Sequence, residues 1–428
     1  MSSDVYSDAQ ADMASELLIR PGPNDHEVVA DLMAPGGAGV LLPSARPVIG
    51  RLVVDAHAAA HRPQFSAAAA DAGVPLLIDP VTPLWQGPLR EKDRWAKLPF
   101  GQAERLDAGA VSNVKRREQL VAQAAEFQVA HGATSVIPPY PYVAAPDDPW
   151  FEWALDMIRL TARWLRQEGI ALPLAPMLCA RLQTFAPAHS WGQGIDRFAR
   201  TALDVGPQFL GLCLSPVKAS DSYRKLLGLF DAAARLRSSG TPVMGWRQGL
   251  YGPGLVAAGL DGYETGIGTR ETCDISSNIA SRKPPKPGQK RGGGGVPGIY
   301  VEPLGRSISP QASDALFAHD ALRVKIMCDD QRCCPKGPTS TREHRREHAV
   351  RTRARGLANL DALPHHTWRL HQITKDAHEA ATLAEQANGV LDSAGLKERI
   401  SPTGMEALAR VSEHLRTNAL REREQEAS

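Results

Sequence analysis

Short apolar runs alternate with alanine- and leucine-rich segments along most of this chain. In segments such as 118–129, 150–167 and 223–237, apolar side chains recur every three to four residues, which is typical of helices. Strands are predicted at the apolar runs 40–42, 75–78, 135–137, 172–175, 209–214, 242–244, 262–263 and 299–301. Alternating strands and helices indicate parallel βαβ units.

About eight strands over roughly 270 residues fit a TIM-like (β/α)8 barrel of the α/β class better than an open sheet. An open doubly wound sheet is the alternative, but no glycine fingerprint for a dinucleotide follows the first predicted strand. We place the barrel at 36–323, after an N-terminal extension, 1–35, that lacks strand signals. A segment at 324–380 and a helical tail at 381–428, with a frayed end, follow the barrel.

Composition narrows the class of protein. The 428 residues are 43% hydrophobic and 22% charged, which is ordinary for a globular protein. A net charge of +2 is too small to indicate nucleic acid by itself. There is no apolar run of ~18 residues and no basic-then-apolar start, so we expect a cytoplasmic protein that does not enter a membrane.

Three of the six cysteines crowd together, at Cys328, Cys333 and Cys334. They are followed by His344 and His348, which are four residues apart and so share one helical face. Zinc prefers about four thiolate or imidazole ligands. We predict a structural zinc site formed by the three cysteines and His348, with His344 as the other candidate histidine. The alternative is three unliganded thiols beside a basic helix.

A second unusual segment, 281–295, is basic and rich in Pro and Gly, so it is predicted to be a mobile loop. Its basic residues, with the arginines between 342 and 355, predict a phosphate-binding surface. The candidate nucleic-acid-binding residues in this loop are Arg282, Lys283, Lys286, Lys290 and Arg291. The alternative for the arginine-rich helix is a solvated face with ion pairs to Glu343 and Glu347.

Acidic residues follow or interrupt predicted strands. Asp79 ends the run Leu76-Leu-Ile78, and Asp261 and Glu264 flank the run 262–263. Because barrel enzymes place their active site at the carboxyl ends of the strands, we expect these three carboxylates to lie in one pocket. For Asp79 the alternative is a turn-capping role before Pro80.

Further residues near this predicted pocket are candidates for binding substrate. They are Gly245, Trp246, Tyr263 and Arg270. Most tryptophans of a barrel pack in its core, which is the alternative for Trp246.

The segment Gly259–Arg270 resembles the tRNA-guanine transglycosylase family. In that family a strand with Met-Gly-Val-Gly precedes Gly-Ile/Val-Asp-Met-Phe-Asp-Cys-Val-Leu-Pro-Thr-Arg, and the second Asp is the nucleophile. Glu264 falls at the nucleophile, Asp261 at the first Asp, and Thr269-Arg270 at the Thr-Arg pair. A Glu at the nucleophile position departs from the pattern.

Other stretches extend the resemblance and limit it. The run Ser135–Tyr142 is similar to the family's strand and Pro-Tyr-Pro, and the cysteine cluster is similar to its Cys-x-Cys-x-x-Cys with a later His. However, Pro138 and Pro139 occupy the region of the family's guanine-binding Asp, and 172–179 replaces its Val-Gln-Gly-Gly. Losing both base-reading groups implies a different base or none.

The resemblance implies an enzyme that exchanges a base in RNA or DNA for a free base of the 7-deazaguanine type. Glu264 would be the nucleophile, Asp79 the acid/base and Asp261 an orienting carboxylate, while Arg270 would bind phosphate. One alternative is a small-molecule hydrolase that uses Asp79 and Glu264 as an acid/base pair. The other is a catalytically silent barrel that binds nucleic acid or another partner. Assembly into a homo-oligomer remains open.

If the loop 282–291 binds a polynucleotide, affinity falls steeply with salt, because bound phosphates release their counterions. Replacing its five basic residues by Ser should flatten the slope of log affinity against log salt concentration. Fluorescence anisotropy with labelled single-stranded RNA and DNA measures that slope. An unchanged slope, or no binding at low salt, would favour a small-molecule substrate.

Overall fold

The computed structural model describes residues 14–34, 39–41, 46–87, 94–101, 105–107, 112–185, 189–280 and 297–426. The strands are β1 (Glu16–Arg20), β2 (Val40–Leu41), β3 (Arg46–Pro47), β4 (Arg51–Asp55), β5 (Leu76–Asp79), β6 (Met177–Arg181), β7 (Leu210–Ser215), β8 (Val243–Gly245), β9 (Gly262–Gly266), β10 (Ile299–Val301) and β11 (Arg306–Ile308).

The helices lie between and after these strands. They are α1 (His26–Met33), α2 (Ala56–Ala59), α3 (Gln64–Ala72), α4 (Val114–Ala130), α5 (Pro149–Gln167), α6 (His189–Leu203), α7 (Tyr223–Arg237), α8 (Gly252–Ala257), α9 (Ile275–Ala280), α10 (Pro310–Ala318), α11 (Asp320–Ile326), α12 (Pro338–Glu343), α13 (Arg345–Asp361), α14 (His366–Ser393) and α15 (Thr403–Glu426).

A curled parallel sheet of seven strands forms the centre of the fold, in the order β5-β4-β1-β9-β8-β7-β6. Residues 134–137 join its two edges. The amide of Thr134 donates to the carbonyl of Leu76, and the amide of Ala175, just before β6, donates to the carbonyl of Val136. With these bridges the sheet closes as a TIM-like barrel, which confirms the predicted fold class.

The barrel strands are buried on both faces, because side chains fill the interior and helices cover the outside. In β7, Leu210–Ser215, all residues are buried, and β4, β5 and β9 have the same pattern. Such strands appear in a sequence as apolar runs without alternation. This is why the apolar runs in the sequence predicted the positions of most strands but not which strands pair with each other.

Two predictions about the barrel strands were wrong. The first 35 residues do contain a strand, since β1 pairs with both β4 and β9 in the centre of the sheet. Conversely, the predicted strands at 40–42 and 299–301 form the antiparallel pairs β2–β3 and β10–β11, outside the barrel. An apolar run does not reveal which sheet it joins, so the predicted barrel start at 36 came too late.

The helical tail is confirmed, and it packs tightly on the barrel. Helix α15 packs against α7 and α14, and α14 packs against α8. Leu370 and Ile373 of α14 and Leu408 of α15 belong to the same apolar core as the barrel strands. The tail therefore extends that core, and α15 continues to Glu426 rather than fraying early.

Membrane insertion has no candidate segment in the described part of the chain. None of the helices there is both long enough and apolar enough to cross a bilayer.

Candidate active site and metal cluster

A buried arginine at the carboxyl end of β1 organises one end of the barrel. Arg20 is the last residue of β1, and its guanidinium lies between three carboxylates, those of Asp55, Asp79 and Glu264. Nη2 of Arg20 lies 2.7 Å from Oδ2 of Asp79 and 2.9 Å from Oε2 of Glu264. Nε contacts Oε1 of Glu264 at 2.5 Å, and Nη1 contacts Asp55. The ends of β1, β4, β5 and β9 thus share one ionic centre.

Charge pairing is what makes this burial tolerable. Burial alone would lower the pKa of Arg20, but the charges of Glu264, Asp79 and Asp55 raise it well above the ordinary arginine value. Burial alone would raise the pKa of Asp55, but the charges of Arg20, Arg270 and Arg247 lower it far below the usual range. Removing one partner would leave an uncompensated charge in the interior, which is strongly destabilising.

Two more arginines complete the ionic centre. Nη2 of Arg247 lies 3.2 Å from Oδ2 of Asp79, and Nη1 of Arg270 lies 2.8 Å from Oδ2 of Asp55. Three guanidiniums therefore face three carboxylates, and the formal charges balance. Nε of Arg247 is buried and has no hydrogen-bond partner among the described residues. The Arg270 side chain is 39% exposed, which makes it the most accessible of the three arginines.

Backbone strain concentrates at the same end of the barrel. In the described chain the non-glycine residues with positive φ are Val81, Arg247 and Arg270, at 48°, 57° and 60°. Each follows a barrel strand within four residues, after β5, β8 and β9. A non-glycine residue in this region costs about 1–3 kcal/mol, and such residues cluster at functional sites. The strained backbone holds both arginines over the strand ends.

A neutral histidine adjoins this ionic centre. His57 follows β4 in the short helix α2, and its ring packs against Trp95 with centroids 4.2 Å apart. Burial lowers the pKa of His57; the charge of Asp55 opposes this shift, whereas those of Arg270 and Arg94 add to it. The imidazole is therefore mainly neutral at pH 7. Nδ1 is buried without a hydrogen-bond partner among the described residues.

Tyr140 fixes the third acid of the centre. Its hydroxyl donates to the carboxylate of Asp79, at 2.8 Å from Oδ1. The backbone amide of Val81 donates to the same oxygen at 2.8 Å. Burial and the charge of Asp79 raise the pKa of Tyr140 well above its ordinary value, so the phenol stays protonated. The carboxylate of Asp79 thus accepts hydrogen bonds from Arg20, from Tyr140 and from the backbone of Val81.

The structure brings Asp79 and Glu264 together, since both carboxylates contact Nη2 of Arg20. It also places Trp246 and Arg270 there, with the Arg20 guanidinium 5.3 Å from the Trp246 ring centroid. Asp79 is not merely a turn cap, because its contacts reach beyond the turn. Glu264 is fully buried and both its oxygens accept from Arg20, so it cannot approach a sugar as a nucleophile.

Asp261 does not join this site. It precedes β9 and lies at the amino end of the barrel, where its Oδ2 accepts from the amide of Val243 at 2.7 Å. Arg237 lies 3.3 Å away from the same oxygen. A strand separates its ends by ~3.3 Å per residue, so Asp261 and the carboxyl end of β9 are on opposite sides of the barrel. The predicted three-acid pocket is therefore wrong for this residue.

Tyr263 and Gly245 also face away from the ionic centre. Successive side chains of a strand point to opposite faces, so Tyr263 cannot share the interior with Glu264. A Cβ on Gly252 of α8 would lie 2.1 Å from the Tyr263 ring, which places that ring under the helix. A Cβ on Gly245 would meet Leu255 and Tyr263 on the same side. Neither residue fits the predicted substrate-binding role at the strand ends.

Sequence reasoning missed Arg20, Asp55, His57, Tyr140 and Arg247. A usable signal existed for two of them, because Leu52-Val-Val-Asp55 repeats the pattern of an apolar run ending in an acid seen at Asp79. His57 lies two residues after that acid in the chain. Arg20 ends Leu17-Leu-Ile19 in the same way, but a buried arginine is rare enough that the pattern gives little warning.

The Cys/His cluster has the geometry of a metal site. Ligand atoms of Cys328, Cys333, Cys334 and His348 all lie within 4.8 Å of one another. Nδ1 of His348 is 3.4 Å from the sulfur of Cys333 and 3.4 Å from that of Cys334. This cluster could bind a metal ion. The structure also selects His348 over His344, which is exposed.

Neighbouring groups orient these ligands. The imidazole Nε2–H of His348 donates to the carbonyl of Tyr300 at 2.9 Å, which turns Nδ1 toward the thiols. Burial alone would lower the pKa of His348, but hydrogen bonds to Cys328 and Cys334 raise it to about 9. Hydrogen bonds from Cys333 and Cys334 lower the pKa of the Cys328 thiol. The thiols and the imidazole thus share protons, which a bound metal ion would displace.

The predicted phosphate-binding surface receives little support from its helical part. Several arginines between 342 and 355 bind carboxylates of the chain itself: Arg342 with Asp314, Arg346 with Asp25, Arg353 with Glu271, and Arg355 with Glu302. Arginines in such pairs are not free for phosphates. The loop residues Arg282, Lys283, Lys286, Lys290 and Arg291 lie outside the described residues, so their role stays a prediction.

Comparisons with known proteins identify similar folds only. No family model and no curated protein matches the chain. Among similar solved structures is a protein described as a phosphonomutase from Burkholderia cenocepacia J2315, with 14% identity, a TM-score of 0.33, and coverage of 64% of this chain and 92% of that one. Another is the carboxyl transferase domain of Rhizobium etli pyruvate carboxylase with pyruvate, with 12% identity and a TM-score of 0.35. That match covers 94% of this chain, which spans 62% of the other structure.

These findings overturn the resemblance to tRNA-guanine transglycosylases. The similar structures carry the names of other enzymes, and no family model supports the assignment. The implied base exchange, the 7-deazaguanine substrate and the nucleophilic role of Glu264 are therefore wrong. At such low identities and TM-scores the two neighbours give no guide to a reaction or substrate. No family can be assigned to the chain from these comparisons.

Replacing Asp55 by Asn tests the ionic centre. Because the folded pKa of Asp55 is depressed, its contribution to stability is present above the unfolded pKa of about 4 and is lost as pH falls. We expect Asp55→Asn to lower the free energy of unfolding by about 3 kcal/mol at pH 7, and by progressively less below pH 4. Urea unfolding followed by tryptophan fluorescence measures both values.

Asp320→Asn is the control, since Asp320 forms an exposed ion pair with Arg323. This variant should have the same free energy of unfolding as the wild type at pH 7 and at pH 3.5. An Asp55→Asn deficit that stays constant between pH 7 and pH 3.5 would contradict an ionised, paired Asp55.

Proposed function

We propose that this chain is a barrel enzyme that performs proton transfer on a small substrate bearing a phosphate or carboxylate group. The observation that carries this proposal is a neutral histidine with an unpartnered, buried Nδ1 beside the strained Arg270. Both lie at the carboxyl ends of the strands, where barrel enzymes have their active sites.

Arg270 and Arg247 supply the anion-binding part of the proposal. Arg270 contacts the carboxylate of Asp55, and its side chain is partly exposed. A planar guanidinium with free donors suits bidentate binding of phosphate or carboxylate. Arg247 adds a buried Nε that has no hydrogen-bond partner among the described residues.

His57 supplies the base. A general base near neutral pH must be unprotonated and must have a free lone pair, and the lowered pKa of His57 provides the first condition. In the proposed reaction, the substrate anion binds Arg270 and the imidazole of His57 takes a proton from the adjacent carbon or hydroxyl. Asp55 keeps its contact with Arg20 during this step and holds the positive charges in place.

The hydrolase alternative, with Asp79 and Glu264 as an acid/base pair, fits the geometry less well. Both carboxylates are fully buried, and both are tied to Arg20. Their contacts suit a role as fixed counter-charges that position Arg20 and Arg247, rather than groups that exchange protons with a substrate.

We further propose that the ion bound by the Cys/His cluster is zinc. Three thiols with one imidazole are a common closed, tetrahedral zinc ligand set. A cytoplasmic location is also proposed, supported by six cysteines of which none forms a disulfide, because reducing compartments keep disulfides from forming. Polynucleotide binding through 282–291 remains a proposal, tested by the salt dependence described above.

Proton transfer can be assayed without knowing the natural substrate. A panel of 2-keto acids and sugar phosphates is incubated with the protein in D2O, and loss of exchangeable C–H signals is followed by proton NMR. We expect exchange on at least one compound, reduced by ~100-fold or more in His57→Asn, since a positioned base contributes about that factor. The wild-type rate should persist below pH 6.5, because the pKa of His57 is lowered.

A phosphate-binding assay distinguishes the role of Arg270 from that of His57. Arg270→Gln should abolish protection by inorganic phosphate against thermal unfolding, whereas His57→Asn should retain it. Arg323→Gln, a change in an exposed ion pair far along the chain, is the control and should behave as wild type. No exchange on any compound, together with phosphate protection that survives Arg270→Gln, would refute the proposal.

Metal analysis tests zinc. Purified protein should contain about one zinc ion per chain, and a chelator should lower Tm. His348→Ala should lose the ion, whereas His344→Ala, which alters an exposed histidine four residues earlier, should keep it. Equal zinc contents in both variants, or zinc-free wild-type protein, would exclude this ligand set.

A further inference from the structure

We propose that Glu271 is a positioning residue, which holds the loop that carries Arg270 and makes that loop sensitive to the ion bound by the Cys/His cluster. The loop, residues 267–273, follows β9 and contacts the β10–β11 hairpin. The consequence of these contacts for anion binding rests on the proposed function of Arg270, whereas the position of the loop does not.

Glu271 ties the loop to three neighbouring segments. Its Oε2 accepts from the backbone amide of Ser307 in β11 at 2.8 Å, and its Oε1 accepts from the Ser307 hydroxyl and from Arg353 of α13. Its backbone carbonyl accepts from the amide of Leu250 at 3.0 Å. Glu271 therefore joins its own loop to the hairpin, to α13 and to the segment that follows β8.

Arg270 needs such a hold because its backbone is strained. Its φ of 60° lies in the left-handed region, which residues other than glycine adopt at a cost. Two residues earlier, the carbonyl of Gly268 accepts from the amide of Gly298 at 2.9 Å, just before β10. If the contacts between loop and hairpin were lost, the backbone would relax and Arg270 would leave its position beside Asp55.

The other strand of the hairpin contacts the Cys/His cluster. Tyr300 of β10 pairs directly with Ser307 of β11. The carbonyl of Tyr300 accepts from Nε2–H of His348 at 2.9 Å, and its ring lies 3.7 Å from Cζ of Arg353, measured to the ring centroid. One pair of opposite residues thus contacts both the cluster and the partners of Glu271.

His348 and Arg353 lie on the same helix, α13, which packs against β10. When Nδ1 of His348 binds an ion, the ring can no longer turn, and its hydrogen bond to Tyr300 is fixed. This fixes α13 against the hairpin, and the hairpin in turn holds Glu271. Loss of the ion should therefore loosen the loop although every residue of the loop is still present.

Hydrogen–deuterium exchange, followed by mass spectrometry, tests the role of Glu271 without any ligand. The amides of Leu250, Gly298 and Ser307 report on the loop, because each donates a hydrogen bond to it. In peptides that contain them, Glu271→Gln should accelerate exchange by ~tenfold or more, since local opening becomes easier when these hydrogen bonds weaken. Peptides from β7 are the internal reference and should exchange as in the wild type.

Two further variants distinguish a lost contact from an unpaired buried charge. Glu271→Gln combined with Arg353→Met removes both charges, so no lone cation remains, and it should accelerate exchange in the same peptides. Glu302→Gln is the matched control, because Glu302 pairs with Arg355 of the same helix and lies outside the loop. Wild-type exchange in both Glu271 variants would overturn the positioning role. If Glu271→Gln alone does not fold, as judged by circular dichroism, the double variant decides.

Removal of zinc tests the link to the cluster. A chelator applied to the wild type should accelerate exchange in the same peptides, and so should His348→Ala. The chelator should cause no further change in His348→Ala, and added zinc should restore slow exchange in the wild type only. Unchanged exchange after chelation would overturn this link.

Phosphate affinity, measured by titration calorimetry, relates the loop to the proposed function. We expect Glu271→Gln and zinc removal each to weaken the binding of inorganic phosphate about tenfold, a usual size for coupled sites, whereas Glu302→Gln should bind phosphate like the wild type. Unchanged phosphate affinity despite faster exchange would overturn the positioning of Arg270. If the wild type binds no phosphate, the proposed anion binding is wrong, and exchange alone decides the role of Glu271.

Discussion

The Arg20 guanidinium is buried at the meeting point of four strands, and the carboxyl end of the barrel depends on how its charge is matched. Asp55, Asp79 and Glu264 each contribute a carboxylate from a different strand, so the three acids fix the relative positions of β4, β5 and β9 around β1. Arg247 and Arg270 then find their counter-charges on the same acids. A buried ionic network of this kind is a poor source of net stability compared with apolar packing, since desolvation offsets much of the attraction. Its presence is better explained by the positioning of charged groups for binding or chemistry.

The molecule keeps three chemically different regions apart in space. Ionic groups and a neutral histidine gather at the strand ends, soft thiol ligands gather in the segment after β10, and a cavity lined by apolar, charged and amide side chains lies between the barrel and α14. Strand alternation enforces the separation of the first from the third. Tyr263 and Glu264 are adjacent in sequence, yet one contributes to the helical layer and the other to the interior. The helical tail therefore takes part in forming a cavity wall as well as covering apolar surface.

The sequence allowed the barrel, the helical tail and the Cys/His cluster to be predicted, because each leaves a local signal. Apolar runs mark strands that are buried on both faces, and Cys328, Cys333 and Cys334 are close in the chain as well as in space. The sequence correctly placed Asp79 and Glu264 close together, but Asp261 and Tyr263 lie elsewhere, and alternation along β9 could have excluded Tyr263 beforehand. Arg20 could not be found in this way, since its partners are scattered along the chain and no local pattern reveals long-range pairing. The family resemblance rested on a few short motifs, and short motifs are matched by chance in unrelated barrels.

The position of β1 has a consequence for how the chain reaches its folded state during synthesis. β1 is the first described strand, but it completes its hydrogen bonds with β9, and Arg20 contacts Glu264, which follows 244 positions later. At ordinary elongation rates the ribosome needs on the order of tens of seconds to make that distance. Throughout this interval the apolar β1 and its arginine have only β4 and β5 as native neighbours, and one edge of the growing sheet stays open. The nascent barrel is thus an unclosed sheet with an exposed edge, the kind of intermediate that chaperones bind, until the last barrel strand arrives and closes the ring.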